Sequence, residues 1–185
     1  AITTSGAQAY FGAVTLGADT TLDSSTGNGN VTFSAALDGA KALTVTAGTG
    51  DIALLAQAGG TTPLGNVSLT GKAITLSGVK SSGLTLANTG KLTLDGGNYT
   101  IGAAPYAFLD ATTNGTLTLG QATSFGALTL GSDTTINGAD ATFNSTVNGA
   151  HALDIGQNAA FLGAVGGITN LTSLTVHGTT ALNGG

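Results

Sequence analysis

Apolar and polar positions alternate along most of this chain, in short runs separated by small turn-forming residues. The runs include AVTL (13–16), NVTF (30–33), ALTV (42–45), NVSL (66–69), AITL (73–76), GLTL (83–86) and KLTL (91–94). They continue with NYTI (98–101), TLTL (116–119), ALTL (127–130), ALDI (152–155) and SLTV (173–176). In each, a small polar residue, most often Thr, stands between two apolar ones. Successive side chains of a strand point to opposite faces, so the apolar pair shares one face and the polar residue takes the other. The pattern predicts half-buried strands with one dry and one wet face. Between them lie DSSTGNGN, AGTGD, AGGTT, LDGGN and TTNG, rich in residues that accept positive φ and make tight turns. No eleven-residue window holds a 3.6-residue apolar period, so no helix is expected.

The chain also repeats itself. FGAVTLGADTT (11–21) returns as FGALTLGSDTT (125–135), 114 positions later. VTFSAALDGAKALTV (31–45) matches ATFNSTVNGAHALDI (141–155) at an offset of 110, and LAQAGGTTPLGNVSLTG (55–71) matches LGAVGGITNLTSLTVHG (162–178) at 107. The first loss falls where LDSSTGNGN faces INGAD, the second where TAGTGDIA faces GQNAA. Both fall largely in turn chemistry while the strand patterns persist, which is how solenoids vary: insertions go to corners and the stack is left alone. A tandem of sandwiches would need each copy to close its own core, whereas a solenoid coil needs only its neighbours. The reading is therefore all-β: one β-solenoid segment over 1–185 with coils of about 20 residues, and an internal repeat in which 11–78 matches 125–184. Phe11 pairs with Phe125 and Phe33 with Phe143 across the repeat, and these four are the expected core-stacking residues.

Composition narrows the chemistry. Only 7% of residues are charged, 41% are hydrophobic and 31 are Gly. The hydrophobic share is that of a globular chain able to build a core. All nine acidic residues are Asp, and Cys, Met, Trp, Arg and Glu are absent. A net charge of −5 argues against nucleic acid as a partner, and the longest apolar runs are too short for a membrane-spanning helix. A basic-then-apolar leader is not recognisable, so the chain reads as a mature piece or a cut from something longer.

GAVTLGADTTL, VTF with LDGAKALTV, and GGTTPLGNVSLTG resemble the repeats of filamentous-haemagglutinin-type exoproteins, the large bacterial surface proteins of two-partner secretion. The resemblance covers most of residues 10–78 and 125–184. It implies a right-handed, single-stranded parallel β-helix, export to the cell surface, and work as an adhesin or its stalk. The implied partners are a host or neighbouring-cell surface, or further copies in a fibre. A self-assembling fibre subunit, stacking end to end, is the alternative; a carbohydrate-active β-helix enzyme is the other.

Enzymatic β-helices need several carboxylates converging on one face, and the Asp residues here are scattered. Only Asp19 recurs, as Asp133, in G-A/S-D-T-T; a repeated turn Asp is expected to hydrogen-bond local backbone. Asp19 and Asp23 form the one spaced acidic pair a calcium ion could be imagined to use. His151 and His177 have no ligand spacing and no Cys to work with, and the Gly clusters lack the Gly-Lys-Ser/Thr of a phosphate loop. No catalytic, cofactor-binding or metal residue is expected. Outward Thr rows invite comparison with ice-binding faces, but the interspersed Ser, Asn and Asp and the varying corner lengths argue against a lattice match.

Overall fold

A computed structural model describes residues 1–94, 98–101, 107–119 and 122–184. The LDGGN turn lies largely at 95–97, outside the described residues. Regular structure among the described residues is all β-strand, and the described pairings are parallel. Parallel neighbours cannot be joined by a tight hairpin. The chain instead travels round a coil and returns beside itself, and the architecture is a β-solenoid. It divides into two compact units, Ala1–Thr93 and Leu94–Gly185.

Three strand faces make up each coil of the first unit. One face stacks Gln8–Tyr10, Val31–Phe33, Ile52–Leu54 and Ile74–Leu76 in that order. A second, shorter one pairs Val14–Thr15 with Leu37–Asp38 and continues by single bridges to Ala58 and Val79. The third stacks Ile2–Thr3, Thr20–Asp23, Leu43–Thr46, Leu64–Gly71 and Ser81–Asn88. Register partners lie 17 residues apart at the least (Leu64 with Ser81) and 24 at the most (Leu43 with Val67). Coil length therefore varies while register holds.

The second unit follows the same order with coils of 17 to 21 residues, as Phe125 opposite Phe108 and Leu174 opposite Leu153 show. Here the single strand Thr123–Asn137 runs through all three positions. It pairs successively with Ala141–Phe143, Val147–Asn148 and Ala152–Ile155.

The alternation in the sequence sets the packing. In Val31–Phe33 and Ile52–Leu54 the outer two residues are buried and the middle one is not. Register then places like on like: Leu22 meets Val45, Val45 meets Leu69, and Leu69 meets Leu86. Each such side chain, shielded by the coils above and below, contributes on the order of 1.5–3 kcal/mol of apolar burial. The offsets lost across the internal repeat map to one corner. The turn at 24–30 separates Thr20–Asp23 from Val31–Phe33, and the segment 47–51 separates Leu43–Thr46 from Ile52–Leu54. Insertions there lengthen a loop and leave the ladder intact.

Aromatic rings form the largest inward column. Phe125 stacks on Phe143 with centroids 5.1 Å apart, and Phe143 on Phe161 at 4.8 Å. Phe33, Phe125 and Phe143 are fully buried. Phe11 is not: it is 80% exposed, and the inward place belongs to Tyr10, whose ring stacks on Phe33 at 4.5 Å. The expectation for Phe11 is corrected here, and the reason is a one-residue difference in the corner. Three residues separate Tyr10 from Val14, and three separate Phe33 from Leu37, its register partner on the next coil. In the second copy the uninterrupted strand leaves only two between Phe125 and Leu128. The sequence match aligns Phe11 with Phe125; the stack aligns Tyr10 with Phe33. Tyr10 tolerates burial because its hydroxyl donates to Gln8 Oε1 at 2.9 Å.

Candidate functional site

Polar chemistry in this fold concentrates at the corners. Asp19 stands just before the strand Thr20–Asp23, and its Oδ1 accepts from the Ala42 N–H of the following coil at 2.9 Å. Asp133 does the same for the Ala152 N–H at 2.9 Å. The expected partner was the residue's own turn; the observed one lies 23 or 19 residues ahead. These carboxylates tie one coil to the next.

They belong to a wider set that the sequence reading did not single out. Before the aromatic face, Asn30 Oδ1 accepts from Asp51 N and Asp51 Oδ1 from Ala73 N, at 2.8 and 3.1 Å. At the equivalent corner of the second unit, Asp140 accepts from Asn158 N and Asn158 from Thr179 N, at 3.3 and 2.9 Å. At a further corner, Asp38 accepts from the N–H groups of Thr61 and Thr62, and its repeat mate Asn148 from those of Ile168 and Thr169. In every case the acceptor sits on the earlier coil and the donor on the later one. The signal in the sequence was a recurrence of Asp or Asn at the coil length, immediately ahead of a strand or a Gly.

Gly39 and Gly149 follow Asp38 and Asn148, and both need to be Gly. Their φ values are +119° and +128°, where a Cβ is strained. That Cβ would also run into the carbonyl oxygen of Leu16 or Leu130 on the preceding coil.

Among the described residues, Asp23 is the acidic side chain that serves its own turn. It accepts from the Ser25 hydroxyl at 2.6 Å and the Ser25 N–H at 2.9 Å, and these bonds hold its carboxyl below the usual value. Asp19 and Asp23 flank one strand, about 13 Å apart by strand rise, and each is committed to a different backbone group. The histidines each meet one aspartate. His151 Nδ1 lies 3.7 Å from Asp133 Oδ1, and His177 Nε2 lies 2.9 Å from Asp154 Oδ1. All four side chains are substantially exposed, where an ion pair is worth little. Among the described residues, no group of three or more His, Cys, Asp or Glu converges.

Two surface features remain. On the third face of the first unit, Thr21, Thr44, Ser68 and Thr85 form one outward column in register. Asp23, Thr46, Thr70 and Ala87 form a second. The varying corners do not disturb these columns, since register is set on the face. In the second unit, a shallow open groove of about 330 Å³ crosses three coils. Its rim carries Asp140, Asn158 and Thr179, and Thr142, Ala160 and Ala181 lie along it. Small side chains at successive levels produce the hollow.

No protein-family model, curated protein or solved structure matches the chain significantly.

Proposed function

We propose that the chain is a structural and adhesive repeat segment of a secreted bacterial surface protein, acting as a rigid stalk or fibre. The observation that carries this reading is the coil-to-coil bonding. Each coil is held to the next by backbone ladders on its faces and by Asp or Asn side chains at its corners. A chain built this way invests its polar groups in stacking. Asp19, Asp38, Asp51, Asp133 and Asp140 spend their carboxylates on backbone N–H groups of the following coil. Support for the surface role comes from the likeness of its repeats to haemagglutinin-type exoproteins and from the neutral hydroxyl column of Thr21, Thr44, Ser68 and Thr85.

The test uses the absence of cysteine. Thr85→Cys places one thiol on the outward Thr column. In the producing cell, a membrane-impermeant maleimide should label this variant on intact cells. Labelling that requires prior lysis would contradict the proposal.

A further inference from the structure

The two copies of the repeat carry different residues in the same cradle. In the first, Asp38 Oδ1 accepts from Thr61 N at 2.9 Å and Thr62 N at 3.1 Å. In the second, Asn148 Oδ1 accepts from Ile168 N at 2.9 Å and Thr169 N at 3.3 Å. The next residue is Gly in both, at positive φ. The backbone beyond matches too: Lys41 N donates to Gly39 O at 2.7 Å, and His151 N to Gly149 O at 2.8 Å. We infer that Asn148 is a site of spontaneous deamidation, with water as co-reactant, and that the cradle is already shaped for the aspartate it yields.

The reaction is balanced by the groups present. The Gly149 nitrogen gives up its proton and attacks Cγ of Asn148, forming a C–N bond and placing negative charge on Oδ1. Two backbone N–H groups already point at that oxygen, the arrangement that stabilises an oxyanion. The C–N bond to the side-chain amide then breaks and ammonia leaves with the proton, closing a succinimide. Water adds at Cγ and reopens the ring, giving a carboxylate and restoring the peptide bond. Gly149 offers an unhindered nucleophile because it has no Cβ. Its N–H is held only by a 3.2 Å bond to Thr169 O. The product carboxylate keeps both donors, as Asp38 demonstrates, and the chain becomes one charge more negative.

Other Asn-Gly pairs provide the comparison within the same molecule. Asn28 precedes Gly29 and accepts from a single N–H, that of Thr49, at 2.8 Å. Asn137 precedes Gly138. The folded protein would be incubated at mildly alkaline pH and followed by peptide mass mapping. The expected result is a gain of about one mass unit at 148 at least tenfold faster than at 28 or 137, scaled to the hundredfold or greater worth of an oxyanion donor. Asp should dominate over isoaspartate, and Asn148→Asp should melt at the temperature of the parent. Modification at 148 no faster than at 28 and 137 would overturn the inference, as would a predominantly isoaspartate product or an Asn148→Asp variant that melts markedly lower.

Discussion

Replacing Phe143 by Ala would empty the middle of a three-ring stack between Phe125 and Phe161. The expected cost is about 3–5 kcal/mol. Phe11→Ala removes an exposed ring and should change stability by no more than about 0.5 kcal/mol. Urea unfolding of both variants checks the assignment of Tyr10, rather than Phe11, to the core column. Tyr10 carries a pH prediction of its own. Burial raises its phenol above the ordinary value, so the folded state holds the proton more tightly than the unfolded chain. The stability this provides is complete below about pH 10, the unperturbed tyrosine value, and is lost as pH rises through the higher folded value. Ultraviolet titration of a variant with the other two tyrosines changed to Phe should show Tyr10 ionising late. Ionisation at the ordinary value would contradict the packing described. At this scale the sequence was a partial guide. Burial of Phe33, Phe125 and Phe143 was legible from alternation, but the place of Phe11 depended on one corner residue that no local pattern marks.

Strands and corners respond differently to added residues. The first copy already carries three more residues than the second between the third face and the aromatic face, TAGTGDIA against GQNAA. Inserting two Gly between Gly156 and Gln157 should therefore cost less than about 1 kcal/mol, the slow growth of loop-closure entropy. One residue inserted between Thr44 and Val45 would reverse the alternation of everything beyond it in that strand. With its neighbours on two coils lost, Val45 would turn outward at a cost of about 1.5–3 kcal/mol. Thermal unfolding of the two variants distinguishes them. Strands of this type were legible because a small polar residue, Thr or Asp, stands between two apolar ones: Lys91–Leu94, Ala152–Ile155 and Ser173–Val176 have the bounds the pattern gave. Ile52–Leu54 and Ala159–Phe161 were not, because Ala takes the outward place and the contrast disappears. The corner ladder was less legible still. Asp19 is written as a turn residue, and only the stacked coils show that its acceptor serves residue 42.

At the scale of the whole molecule, the repeat offset of 114, 110 and 107 is the trace of one architecture built twice, with residues removed at corners. That history explains how coil length can range so widely while inward columns stay in register. Parallel, in-register stacking of coils underlies every feature above, and the cysteine-free chain allows a direct test. Thr44 and Ser68 are register partners on adjacent strands, with Cα atoms about 4.8 Å apart, within the range a disulfide spans. Thr44 and Thr70 lie two residues out of register, about 8 Å apart, beyond that range. Under mild oxidation, the Thr44→Cys/Ser68→Cys protein should form its intramolecular disulfide nearly completely and without loss of stability, while Thr44→Cys/Thr70→Cys should remain largely reduced. Equal crosslinking of the two pairs, or preference for the second, would contradict the parallel register of the coils.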